Sequence, residues 1–523
     1  MQRRDFIKYA TAAGGLIASG QSWCAFAEGA ADGVLNVAIT PEPPSLMVAI
    51  VQNGPTQLVA GNIYEGLLRY DAALNPMPGL ATEWTISPDA LTYTFKLKPG
   101  VTWHDGKPFS AEDVVFSVDK MLREVHARLR GSLVAVDSIT APDANTVVFK
   151  LKYPFGPFIG LFEVGTMPIV PKHIYDGTDY RQNPANNTPI GTGPFKFKEW
   201  VKGSYIQLIK NESYHEAGLP GIDGIYFHVI PDAASRAAAF ESGKLDIMPG
   251  GSVEYFDIQR LKALPKTEVT TKGWEFFGPH CWLWLNNRSG PLADKRVRQA
   301  IMYALDREAM KNVAWYGFGK VATGPFSTTT RYHSEDVPHY AHDKAKAKAL
   351  LAEAGYKGET LRLLPLPYGE TWQRFAEMAR QNLAEVGIKV EMQATDVAGW
   401  NEKLNNWDYD LAFTYLYQYG DPALGVQRNY TSANIQKGSP WNNVSGYSNP
   451  KIDALFEAGA KEPDAKKRGE IYAEAQKILV EDVPVAWLIE LEFPTLYRAN
   501  ISNLVNSAIG LNDGFARAKV TKA

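Results

Sequence analysis

Between Asp343 and Tyr417 the chain alternates two hydrophobic periods, and that alternation limits the folds open to it. Asp343–Ala354 reads as a helix closed by Gly355. Thr371–Val386 puts Trp372, Phe375, Ala379, Leu383 and Val386 on one face and stops at Gly387. Ile388–Met392 and Tyr409–Tyr417 have strand composition and separate these helices. A helix that alternates with short strands must cover a sheet face, so the pattern predicts layered α/β structure. The rest of the chain agrees. Leu91, Tyr93, Phe95 and Leu97 alternate with Thr92, Thr94, Lys96 and Lys98, a half-buried strand, and Thr146–Lys152 repeats the pattern. Ser110 and Asp113 form a capping box ahead of a helix over Val114–Leu122. Strands are expected at Val34–Ile39, Tyr205–Ile209, Gly224–Ile230 and Trp282–Asn286. Helices are expected at Gln57–Leu68, Ala233–Ser242, Arg296–Leu305 and Asp464–Val480. At 523 residues the chain exceeds one core and predicts two or three domains.

The first 27 residues read as an export signal. Arg3 and Arg4 ahead of a mild, Gly-containing apolar run, Tyr9–Gly20, give it twin-arginine character, with an ordinary Sec signal or a retained anchor helix as the alternative, and Ala25-Phe26-Ala27 offers a small-x-small cleavage pattern. Twelve residues are too few to span a bilayer. Cleavage near Ala27 removes Cys24 and leaves Cys281 alone, which rules out an intramolecular disulfide. It also removes a segment of net charge +2, taking the chain from −3 to −5. With no basic block, nothing favours nucleic acid or an anionic membrane surface.

No catalytic constellation assembles. There is no Gly-x-Ser-x-Gly elbow, no His-Glu-x-x-His pair and no cysteine pair for zinc. The nine histidines are scattered, and none follows His342. Neither a metal nor a cofactor is expected, and the reading is not an enzyme. One stretch does gather chemistry. Phe413–Arg428 holds an acid, several aromatic faces and a guanidinium within sixteen residues, a set that could line a pocket for a small zwitterion. Its residues also have structural readings: Asp421 as a helix N-cap with Pro422 at the first helical position, and Tyr415, Tyr417 and Tyr419 as one strand face.

Several longer motifs bear a resemblance. Asn62-Ile63-Tyr64-Glu65-Gly66-Leu67, Pro78-Gly79-Leu80-Ala81, the run from Ser87 to Val118, Gly191-Thr192-Gly193-Pro194-Phe195, Ile230-Pro231-Asp232, Arg296–Ala300 and Ala349–Tyr356 are similar to the family 5 extracytoplasmic solute-binding proteins. These are the dipeptide, oligopeptide and nickel receptors of ABC importers. The resemblance runs through the whole chain after the signal. It implies an α/β, two-lobed periplasmic binding protein of class II (Venus-flytrap) type with an extra α/β subdomain in lobe I. The implied lobe I is discontinuous, 28–70, 190–276 and 485–523, with the insert at 71–189 and lobe II at 277–484. Trp103-His104-Asp105-Gly106 is then a tight turn of the insert. The Gly191–Phe195 segment becomes a backbone crossing near the hinge that exploits glycine's unusual dihedrals. The resemblance further implies a periplasmic, monomeric receptor that delivers its ligand to an inner-membrane ABC permease.

In peptide-binding members of the family an Asp before a Pro in lobe II pairs with the ligand ammonium, and Gly420-Asp421-Pro422 matches that element. The expected contacts are Asp421 for an ammonium, Arg428 for a carboxylate, and Tyr415, Tyr417, Tyr419, Trp400 and Trp282 as packing aromatics. Ala423 stands where the nickel-binding member has a histidine, which disfavours that mode. The expectation is therefore a short peptide or peptide-like amine. An opine, an oligosaccharide or a metal chelate on the same scaffold remains a second reading. An exported enzyme or interaction module is a third.

Overall fold

The computed structural model describes residues 33–521, so the expected export signal lies outside the described residues. Two mixed sheets organise what is described. The first has seven strands in the order Thr267–Thr270, Thr495–Arg498, Ile247–Met248, Val34–Ile39, Gly224–Val229, Tyr205–Lys210 and Phe195–Val201. Val34–Ile39 runs parallel to Gly224–Val229 and is buried along almost its whole length, as a strand covered on both faces must be. The second has six strands in the order Lys320–Val321, Val485–Glu490, His280–Leu285, Leu411–Leu416, Leu361–Leu364 and Val390–Met392. The expected helices cover it: Lys295–Ala304, Lys344–Ala354, Glu370–Glu385 and Ala465–Asp482. Asp343 caps one and Gly355 ends it in the left-handed region. A third, antiparallel sheet of four strands belongs to the insert, in the order Ala81–Ile86, Thr92–Leu97, Thr146–Leu151 and Val136–Asp143. The architecture is the two-lobed α/β class II arrangement with a subdomain attached to the first lobe.

The chain crosses between the two large sheets twice, after Thr270 and after Glu490. Leu491 donates its backbone N–H to the Pro279 carbonyl at 2.8 Å, so the two crossings are tied together. This corrects one expected boundary. Val485–Glu490 pairs antiparallel with His280–Leu285 and is a strand of lobe II, not of lobe I. Its six residues are all buried, and only the second sheet offers them a partner on each side.

Three local expectations change with it. The helix at the start is Gly54–Ala60 and stops well before Leu68. A Cβ on Gly61 would lie 1.9 Å from the Asn512 carbonyl oxygen, and Asn62 bonds both Leu58 O and the Phe515 N–H, so the C-terminal tail occupies the space a longer helix would need. The Ser110 box forms, with Asp113 accepting from the Ser110 N–H at 3.0 Å, but after Val115 the helix widens into a π-turn over Phe116–Leu122. There Ser117 donates back to the Asp113 carbonyl and accepts from Val170 N–H. The glycines of Gly191–Phe195 lie outside the positive-φ region and serve close approach instead. Added Cβ atoms would come within 1.8 Å (Gly191) and 2.7 Å (Gly193) of the Ile63 carbonyl oxygen. His104 of the Trp103–Gly106 turn clasps this segment, accepting from Gly191 N–H at Nδ1 and donating from Nε2 to Gly193 O.

Candidate functional site

A cleft of about 1300 Å³ lies between the insert and lobe II, and the Phe413–Arg428 stretch forms one wall of it. The strand Leu411–Leu416 carries Tyr415, then ends. Tyr417 and Tyr419 follow outside the strand, and Tyr419 has φ +53°, a left-handed conformation that a bulky residue adopts only under constraint. The constraint is visible. Gln418 is buried and bonds His280 Nδ1 and Pro325 O through its amide nitrogen. Its amide oxygen accepts from Ser327 N–H and Thr330 Oγ1. Arg331 N–H donates to Gly420 O. Tyr417 and Tyr419 are thereby presented to the cleft as a fixed pair, with ring centroids 6.1 Å apart, and Tyr415 continues the series 5.8 Å from Tyr417. Behind Tyr417 stand Phe277 and Trp274, and Phe493 packs against Trp274 and Tyr415, so the aromatic wall abuts the hinge at both crossings. Burial raises the Tyr415 hydroxyl to about 12 and raises that of Tyr417 as well, which leaves both neutral.

Asp421 does not stand free in this cleft. It is the N-cap of the turn Pro422–Val426, accepting from Ala423 N–H at 2.9 Å, as its sequence position suggests. Its two carboxylate oxygens also accept from Arg468 at 2.7 and 2.8 Å. The side chains of Arg468 and Asp421 are only 4% and 8% exposed, a bidentate buried pair. Burial opposes the Arg468 charge, but Asp421 outweighs it and raises the guanidinium above its usual range. Asp421 faces a separate cavity of about 250 Å³, shared with Arg331 and Tyr93, that meets the main cleft at Tyr419 and Leu424.

Arg428 has the opposite surroundings. It lines the main cleft, and its only hydrogen bond among the described residues is from Nε to Gly425 O at 3.3 Å. Its Cζ lies 5.9 Å from the Tyr419 ring centre, and Arg128 of the insert lies over the same ring at 4.0 Å. Burial holds the Arg428 guanidinium below its usual range and Arg128 pushes it the same way. Arg128 donates to Thr166 Oγ1 at 2.6 Å. Among the described residues neither arginine has a carboxylate within 4.0 Å.

The two tryptophans are placed elsewhere. Trp282 is fully buried in lobe II against His280 and Tyr430. It lies on a central strand between two neighbours, where a large apolar side chain fills core. Trp400 is 1% exposed and packs between Trp284 and Trp441. It is Trp441 that reaches the cleft. Arg128, Tyr368 and Trp441 are lining residues that sequence reasoning missed. Arg128 lies 300 positions from Arg428 in a segment without periodicity, and no local signal marks it. Among the described residues no group of three or more His, Cys, Asp or Glu could hold a metal ion, and no helix is long and apolar enough to cross a membrane.

Two lobes joined by two crossings, with a large polar-aromatic cleft between them, define a solute-binding protein of the class II fold. The chain belongs to the bacterial extracellular solute-binding proteins, family 5, whose model matches residues 75–437. It is 30% identical to the oligopeptide-binding protein AppA of Bacillus subtilis over 470 residues, 84% of this chain and 82% of AppA. To the glutathione-binding protein GsiB of Pectobacterium atrosepticum it is 29% identical over 440 residues, 83% and 84% of the two chains. Its fold superposes on the ABC transporter substrate-binding protein CtaP of Listeria monocytogenes with a TM-score of 0.85 at 26% identity, covering 94% of this chain and 99% of CtaP. These relatives are binding proteins rather than enzymes.

Proposed function

We propose that the protein is the extracytoplasmic receptor of an ABC importer, which closes on a short peptide or peptide-like solute and hands it unchanged to a membrane permease. The observation that carries this reading is the cleft itself. At about 1300 Å³ it is larger than the roughly 300–1,000 Å³ of drug-sized sites, and it is walled by both the insert and lobe II. A ligand touching both walls favours the closed arrangement by its differential affinity for it. Tyr415, Tyr417 and Tyr419 supply flat apolar contact, and Arg428 the carboxylate contact. Asp421 acts in the fold and not as the ammonium partner. Family membership and the oligopeptide- and glutathione-binding relatives support the peptide-like class. The N-terminal signal pattern supports export to the periplasm, where the protein works as a monomer.

Native mass spectrometry of the purified protein tests the reading. A bound solute of a few residues' mass, released intact on denaturation and raising the melting temperature when added back, is the expected result. Chemical turnover of that solute would overturn it.

A further inference from the structure

Arg128 and Arg428 are two guanidiniums converging on one tyrosine in a semi-enclosed cleft, with no acid between them. Both arginines are half-buried, and two like charges brought to one ring repel each other unless an anion joins them. Of the other charged groups of the cleft, Lys461 and Glu457 neutralise each other at 2.6 Å, and Asp453 is held by hydrogen bonds from the Ser432 backbone N–H at 2.8 Å and from the Ser432 hydroxyl. Asp421 has both oxygens on Arg468. Counted over the described lining residues, three cations (Arg128, Arg428, Lys461) face two acids (Asp453, Glu457), so the surplus charge facing the solute is positive. Glu163, near Arg128, is buried, accepts from Gly165 N–H, and is raised by its burial despite the arginine.

Resting on the receptor reading above, we infer that the solute is net anionic and that one carboxylate bridges Arg428 of lobe II and Arg128 of the insert. Each guanidinium keeps an unused fork of N–H donors, the geometry that takes a carboxylate bidentately. Because the two arginines come from opposite walls, their repulsion opposes closure until the anion arrives. The bridge then becomes part of what holds the lobes together. The substrate class is an acidic peptide, one with more carboxylates than ammonium groups.

Calorimetric titration of the purified full-length protein with matched dipeptides tests this. The panel is X-Glu, N-acetyl-X-Glu, X-Gln and X-Gln-amide, with X an alanine, leucine or tyrosine. X-Glu is expected to bind about tenfold or more tightly than X-Gln, amidation to weaken binding further, and N-acetylation to leave it at least as tight. In Arg428→Gln, and independently in Arg128→Gln from the opposite wall, the preference for X-Glu falls below about threefold. Neutral or amidated peptides that bind as well as the acidic ones, or a preference unchanged in both variants, overturn the inference and leave the receptor reading standing. Failure of every member to bind overturns the peptide reading and this inference with it.

Discussion

Arg468 and Arg428 line two cavities that meet at Tyr419 and Leu424, and they differ in what neutralises them. Arg468 is locked onto both oxygens of Asp421 and also donates to Gly459 O. Arg428 has one long bond to a carbonyl and a second arginine for a neighbour. The buried Arg468 charge is neutralised within the protein, whereas the half-buried Arg428 has no carboxylate within 4.0 Å among the described residues. Asp421, the partner of Arg468, and Arg428 lie seven residues apart in one stretch, and both are of the kind that bind zwitterions. Only the partners, supplied from Ala465–Asp482 in one case and from the insert in the other, tell them apart.

That contrast is broken most forcefully at Asp421. Asp421→Asn strands Arg468 in the interior and is expected to destabilise the protein by about 3–5 kcal/mol in urea unfolding. Arg468→Met in the same chain should restore much of this loss. If Asp421→Asn unfolds like the parent and instead loses solute, Asp421 is a ligand group and the contrast fails.

His104 extends the satisfied side of the comparison. Burial first of all pushes its imidazole down to about 4, and its two bonds to Gly191 and Gly193 suit the neutral ring. A histidine depressed in the folded state binds its proton more readily when unfolded, so its contribution is complete above about 6.5 and is lost as pH falls through about 4. The loss attributable to it is roughly 3 kcal/mol between those limits, from about 1.4 kcal/mol per unit. Thermal unfolding at pH 7.5 and 4.5 should show a smaller difference in His104→Gln than in the parent. An unchanged difference would remove His104 from the account.

The smallest expected effect concerns the ring shared by the two open cations. Tyr419→Leu removes the aromatic face under Arg128 and Arg428 and should weaken an acidic dipeptide by about 1 kcal/mol in calorimetry. No change would mean that the arginines are positioned without it.

Much of the fold was legible because periodicity and caps are local. Thr92–Leu97, the helix capped by Asp343, and the alternation around Leu361–Leu416 all follow from short-range pattern. What was not legible depended on distant partners. The early stop at Gly61 is imposed by Asn512 and Phe515, and the lobe of Val485–Glu490 by a strand some 200 residues away. The site divides in the same way. Tyr415, Tyr417, Tyr419 and Arg428 reach the cleft from one contiguous stretch, whereas Trp282 and Trp400, equally aromatic, are core. The identity of Asp421's partner, and the existence of Arg128 as Arg428's neighbour, are facts of tertiary structure alone.

The central claim is that the solute's charge is read by Arg428 and Arg128 while Asp421 stays with Arg468. A crystal structure of the protein with the solute it carries from purification addresses it directly. The account predicts a carboxylate within hydrogen-bond distance of both Arg428 and Arg128 and an intact Asp421–Arg468 pair. A solute ammonium seated on Asp421, with Arg468 displaced, would contradict it.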